Sequence, residues 1–305
     1  MANLEITFCG VKFRNPLVLA SGILGITGDS LKYVIQCGAG GVTSKSIWLK
    51  GHKGHPNPVI IANEFYMLNA VGVPDAGIEK AKEELGDFLK TCDSPLIANI
   101  IASRKTDYGL IAEEVSKIKP HLIEINISCP NVEDEFGRPF ACSCVDAAEV
   151  TKEVRKMTKL PISVKLSPNV SNIADIAKSV ESAGADAITA INTVGPGMEI
   201  NIEMRAPVLA NKVGGLSGPA IKPIAIKAVH DIYKAVKIPI IGLGGVMNGR
   251  DAIAMMMAGA RLVGMGTAVY YRGPEVFGLV AKEMEEWLDK EGVKSVEEIV
   301  GVVGK

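Results

Sequence analysis

Residues 95–126 read PLIANIIASRKTDYGLIAEEVSKIKPHLIEIN. Pro95–Ile100 and Leu122–Asn126 are short, apolar and β-rich, and the longer segment between them, Asp107–Lys119, has the periodicity of an amphipathic helix. A strand, a helix and a second strand of these lengths make a βα unit, whose crossover sets the two strands parallel. The pattern repeats outward in both directions. Further strands are expected at Leu17–Ala20, Gly41–Lys45, Pro161–Lys165, Asp186–Ile191, Pro239–Leu243 and Leu262–Met265, with helices at Asp75–Cys92, Val145–Thr158, Asn172–Ala183, Ala220–Val236, Gly249–Ala258 and Glu275–Lys290. Eight successive units predict an α/β protein built as a closed (β/α)8 TIM barrel, a single domain over residues 1–305. A doubly wound open sheet is the rival architecture, and eight consecutive units suit closure better.

Ahead of the first strand, EITFCGVKF (residues 5–13) reads as two short strands around Cys9-Gly10, a β-hairpin placed to plug the barrel bottom. Long loops are expected after strands 2, 4 and 6. Ser46–Pro74 and Val194–Gly218 are too long for plain connections and leave strands at their carboxyl ends, where barrels build their sites. With 48% hydrophobic and 22% charged residues the chain can bury a large core. Its net charge of -1, with no Lys/Arg block, gives no field to hold a polyanion, so nucleic acid is not an expected partner. The opening MANLEITFCG has no secretory pattern and no run reaches the length of a membrane span, which predicts a soluble, cytoplasmic protein. Six scattered cysteines in such a chain are expected as thiols rather than as a disulfide framework.

The strands end on polar residues or glycine: Ser21, Lys45, Asn99, Asn126, Lys165, Asn192, Gly244-Gly245 and Gly266-Thr267. Closure brings these ends to one mouth. Parallel strands buried on both faces should be apolar throughout, so lysines and amides there cost desolvation unless a ligand satisfies them. The glycines after strands seven and eight allow close backbone approach to an anion, as in the phosphate site of many barrels.

The stretches ASGILG, TSKS, MLNAVGV, EINISCPNV, VKLSPNV, AINTV, GGLSGPAIKP, GLGGV and GMGTA resemble, in order and spacing, the signatures of class 1 dihydroorotate dehydrogenases. MLNAVG together with PVLANKVGGLSGPAIKP is similar to the B type. That resemblance implies FMN across the barrel mouth, contacted by Ser21, Lys45, Ser46, Asn99, Asn126, Lys165 and Ile191, with its phosphate on Gly218, Gly244, Gly245, Gly266 and Thr267. The pyrimidine is implied on Lys45, the turn Asn69, Ala70, Val71, Gly72 and Val73, and Asn126, Asn192 and Thr193, with Asn131 joining them. The family's catalytic base falls on Cys129. The implied reaction is FMN-dependent oxidation of (S)-dihydroorotate to orotate in pyrimidine biosynthesis.

That reaction removes a proton from C5 and a hydride from C6, so it needs a base facing the ligand from the side away from the flavin. A thiol, with an ordinary pKa of about 8.5, serves once its surroundings are modestly electropositive. Lys165, with Lys45, supplies positive charge for the negative charge that develops on reduction. A strand-end lysine can also form a Schiff base, which leaves an aldolase-type lyase on Lys165 as an alternative. A dihydropyrimidine dehydrogenase-like flavin enzyme is another, because such domains carry similar NISCP and KLSPNV elements. His52 and His55 lie in a Gly/Pro loop with no nearby carboxylate or Cys and are expected as exposed loop residues, so no metal site is assigned. Cys142 and Cys144 receive no role. EDEFGRPFACSC departs from the B type after PNV, and Val59 stands where that type commonly has arginine.

No GxGxxG loop or four-cysteine cluster is present, so NAD and iron–sulfur chemistry belong elsewhere. B-type relatives imply a partner subunit carrying FAD and a [2Fe-2S] cluster that passes electrons to NAD, around a homodimer core in a heterotetramer.

Overall fold

The computed structural model describes residues 2–128 and 139–303. Eight parallel strands, Leu17–Leu19, Gly41–Thr43, Leu96–Ile100, Leu122–Asn126, Ile162–Leu166, Ala187–Ala190, Ile240–Leu243 and Leu262–Met265, pair in chain order, and the last closes onto the first. The expected (β/α)8 barrel is present. Pro95, Pro161 and Pro239 stand just outside the strands they were expected to open, since proline has no N–H for the ladder. Their carbonyls still accept from the neighbouring strand, from Val42, Ile123 and Ile188 at 3.0 Å each. Strand two stops at Thr43 rather than Lys45, because the Lys45 N–H turns away to the Gly25 carbonyl at 2.9 Å.

Helices cover the barrel at Ile78–Thr91, Lys105–Ser116, Cys144–Met157, Ile173–Ser182, Lys222–Ala235, Gly249–Met257 and Val276–Glu291, each within a few residues of its expected span. Two more, Gly28–Gln36 and the short Thr267–Arg272, lie outside the predicted set. The first of these starts at a Thr27/Ser30 capping box, in which Ser30 takes the place usually held by Glu or Gln. Tyr108, Phe88 and Phe277 are fully buried where helices meet the barrel.

The N-terminal hairpin pairs Ile6–Phe8 with Val11–Phe13, and both turn residues, Cys9 and Gly10, have positive φ (48° and 79°), as a two-residue hairpin turn requires. It seals the amino-terminal end of the barrel. Cys9 donates to the Asp186 carbonyl at 3.5 Å, and the Phe13 ring lies against Gly41 so closely that a Cβ there would be 2.6 Å from it. The excursions after strands two and six do more than loop. Ile60–Ala62 and Met67–Asn69 from the first pair with Gly214–Ser217 and Val194–Gly197 from the second in one four-stranded antiparallel sheet beside the mouth.

At the start of strand three the Leu96 N–H donates to His121 Nδ1 at 3.1 Å. Burial holds the His121 pKa below its ordinary value, and protonation would set a donor against a donor. The folded state therefore holds fewer protons than the unfolded one, and this contribution is complete above about pH 6.5 and lost as pH falls through the depressed folded value. Thermal melts from about pH 8 to about pH 5 should fall less steeply for His121→Asn than for the parent. Equal slopes would remove His121 from the account.

Candidate active site

Alternate residues of a strand share a face, so Glu124 lies below Asn126 on strand four and Ser163 below Lys165 on strand five. The register sets Asn126 beside Lys165 and Asn99 beside Glu124. Ser163 and Thr189 hydroxyls meet at 2.8 Å lower in the barrel, which keeps these polar side chains paired.

Two adjoining cavities open at the carboxyl ends of the strands, of about 270 and 100 Å³. Ser21, Asn69, Val71, Lys165, Asn192 and Thr193 line both. Ile191, Gly218, Gly244, Gly245, Gly266 and Thr267 line the larger alone, and Lys45, Ser46, Gly72, Val73 and Asn126 the smaller. Residues from seven of the eight strand ends, all but that of strand three, and from both excursions are thus brought together. Asn99 and Ala70 line neither cavity and are fully buried behind them. Cys129 and Asn131 lie outside the described residues.

One hydrogen-bonded chain crosses the mouth. Asn192 Nδ2 donates to Ser128 Oγ at 2.8 Å, Ser128 Oγ donates to Asn126 Oδ1 at 3.1 Å, and Asn126 Nδ2 reaches Ser46 Oγ at 3.4 Å. The Ser46 and Ser21 hydroxyls are 3.4 Å apart. Ser128 thereby orients both flanking amides, together with the Thr193 N–H, which donates to Asn192 Oδ1 at 2.8 Å. The backbone beneath is held by the Tyr108 hydroxyl, which donates to the Asn126 carbonyl at 2.8 Å. Tyr108 also meets the Phe140 ring edge-on at 6.1 Å, and the Ala141 N–H donates to the Ile127 carbonyl at 3.0 Å, so the chain is anchored on both sides of residues 129–138.

Lys165 is the charged group at the centre. Its side chain is 7% exposed, and its ion pair is with the 3%-exposed Glu124 at 3.8 Å. The same Glu124 oxygen accepts from Asn99 Nδ2 at 2.5 Å, while Asn99 Oδ1 is buried with no partner among the described residues. At the far end of the larger cavity Gly244 and Gly245 have φ of 128° and 72° and leave no room for a Cβ, with Ala225 Cβ and the Lys222 backbone 2.6 and 2.7 Å from that position. Thr267 donates to Ser217 at 3.0 Å on the opposite wall. A glycine-walled end that admits an anion to bare backbone, joined to a wall of amides and a buried lysine, fits a flavin that carries a phosphate.

Sequence reading missed Glu124, Ser128 and Ser217. Glu124 had a visible signal, a lone acid inside the apolar run LIEIN; the other two hydroxyls have none in a chain rich in serine turns. His52 is exposed and stacks on Trp48 with ring centres 4.5 Å apart, whereas His55, expected to be exposed, is half-buried with Nδ1 at 3.0 Å from the Ala70 carbonyl. His55 braces the turn that follows Asn69. Cys142 is exposed and Cys144 opens the helix after Pro139. No helix among the described residues is long and apolar enough to cross a membrane.

A sequence profile for dihydroorotate dehydrogenase matches residues 3–288. The chain is 43% identical over 302 residues to the dihydroorotate dehydrogenase B (NAD(+)) catalytic subunit of Methanocaldococcus jannaschii, covering 98% of this chain and 97% of that one. It is 39% identical to the protein of that name from Pyrococcus abyssi, with 99% of each covered, and 41% identical to that of Geobacter sp., with 99% and 98% covered. The crystal structure of DHODH in complex with ferulenol from Eimeria tenella superposes with a TM-score of 0.85 at 23% identity, over 98% of this chain and 88% of that one, which shows the shared fold. With a family profile spanning nearly the whole barrel and relatives of about 40% identity along its length, this chain belongs to the dihydroorotate dehydrogenase family.

Proposed function

We propose that this chain, acting as one barrel domain, binds FMN across its mouth and oxidises (S)-dihydroorotate to orotate in pyrimidine biosynthesis. The observation that carries the reading is the pair of joined cavities, glycine-walled at one end and lined by Lys165, Asn126 and Asn192 at the other. Gly218, Gly244, Gly245, Gly266 and Thr267 would hold the phosphate, and Ser21, Lys45, Ser46, Asn126, Lys165 and Ile191 the ring system. Asn99 supports that set from behind. When bound, the flavin supplies the acceptor for the hydride that leaves C6.

The protein's own part is to bind, orient and deprotonate. Asn69, Asn126 and Asn192 each offer a donor and an acceptor, matching the alternating N–H and C=O edge of a pyrimidine, and Lys45 offers a cation to its carboxylate. Cys129, as thiolate, takes the C5 proton. Lys165 supplies positive charge that is already in place before the reaction begins.

Anaerobic addition of dihydroorotate should bleach a flavin band near 450 nm, and dihydrouracil should not. Bleaching by dihydrouracil instead would favour the dihydropyrimidine reading, and a colourless protein a Schiff-base lyase. The relatives' designation as catalytic subunits supports a partner. We place FAD and a [2Fe-2S] cluster on that subunit, with electrons passing to NAD from a heterotetramer built on a dimer of this chain.

Ser128 gives a graded test. Removing its hydroxyl takes from each amide one of the hydrogen bonds that orient it, at about the worth of one hydrogen bond, so Ser128→Ala should raise KM for dihydroorotate about three- to tenfold and leave flavin content unchanged. A parent-like KM would mean that the remaining bonds to Thr193 and Ser46 orient Asn192 and Asn126 without the hydroxyl.

A further inference from the structure

Glu124 is a carboxylate sealed inside the barrel, and the chemistry proposed for the site gives it no part. A buried charge is retained only when paired, and among the described residues its partners are an amide buried behind the mouth and a lysine that lines it. Asn99 Nδ2 donates to it at 2.5 Å and Lys165 Nζ lies 3.8 Å from the same oxygen. At 3.8 Å the lysine is held by attraction rather than by a hydrogen bond. It lines both cavities, while Glu124 lines neither. The strand register makes this arrangement rigid, with Glu124 opposite Asn99 on one side and opposite Ser163, two residues before Lys165, on the other.

We infer that Glu124 is the positioning counter-ion of Lys165, and that by screening and placing the ammonium it sets how strongly the site favours negative charge on the flavin. The inference rests on the flavin reading above. An unscreened ammonium would bind the negatively charged forms of the ring too firmly, and a site without it would bind them too weakly. A carboxylate just behind the lysine sets an intermediate value. Because Glu124 acts through Lys165, its removal should matter only while the lysine is present.

The test uses sulfite on the flavin-loaded protein. Sulfite adds through its sulfur lone pair to ring nitrogen N5, and the displaced electron pair leaves the ring with one more negative charge, without any oxidant. Glu124→Gln keeps the shape and the acceptor for Asn99 but removes the charge. Its sulfite dissociation constant, read from the loss of the 450 nm band, should fall at least about fivefold. In a Lys165→Met background the same substitution should change the constant less than about twofold. An unchanged constant in the first case, or an equal change in both, overturns the inference. If Glu124→Gln does not accumulate as folded protein, Glu124→Asp decides. It withdraws the carboxylate by one methylene and should lower the constant about twofold, and an unchanged or raised value overturns the inference. A parent protein that binds no flavin fails the underlying reading and the inference with it, whereas flavin bound with an unresponsive constant fails the inference alone.

Discussion

Cys129→Ser is expected to lower the rate of dihydroorotate oxidation near neutral pH by about 10²- to 10⁴-fold, the range a positioned base contributes, with flavin absorbance retained. A thiol with an ordinary pKa of about 8.5 needs only a modest positive setting to become a thiolate, and an alcohol needs far more. The variant's rate should therefore go on rising with pH beyond the point where the parent levels off. Cys92→Ser, on a thiol at the end of the helix Ile78–Thr91, should keep the parent's rate and profile. A Cys129→Ser enzyme with the parent's pH midpoint would end the assignment.

Gly245→Ala should unfold at markedly lower denaturant and lose flavin. Two costs combine. Its φ of 72° is a backbone state in which a side chain costs about 1–2 kcal/mol, and its new Cβ would sit 2.7 Å from the Lys222 backbone nitrogen, an overpacking cost of about 1–3 kcal/mol. Backbone cannot swing away as a side-chain tip can, so the helix that starts at Lys222 must shift and the glycine-walled end of the cavity with it. A loss of about 2–5 kcal/mol is expected in urea titrations. Gly86→Ala is the internal contrast. It lies within the helix Ile78–Thr91 with nothing within 4 Å of its Cβ position, so it should be stabilised by about 0.5–1 kcal/mol. Similar behaviour of the two variants would contradict the steric account of Gly245.

The barrel was legible in sequence because a parallel strand buried on both faces leaves a local trace, an apolar run such as Pro95–Ile100 followed by helical periodicity. The mouth was legible for a related reason: Lys165 and Asn126 interrupt runs that otherwise have no cause to be polar. The pairing of Met67–Asn69 with Gly214–Ser217 could not be read, since its partners are about 150 residues apart and neither segment alternates clearly. Glu124 was visible as an anomaly, but its meaning depends on Asn99 and Lys165, which only the register brings beside it. Ser128 acts through two amides from different strands, and no spacing along the chain encodes that.

The four-stranded sheet joining the two excursions has a consequence for how such proteins diverge and are recombined. Asn69 sits opposite Gly215, so a residue inserted on either side of that pair slips one ribbon against the other and turns its side chains to the opposite face. A change of length within the paired segment of one excursion therefore has to be matched in the other. In a chimera, residues 46–74 and 194–218 therefore have to travel together: moved singly, either leaves an unmatched edge.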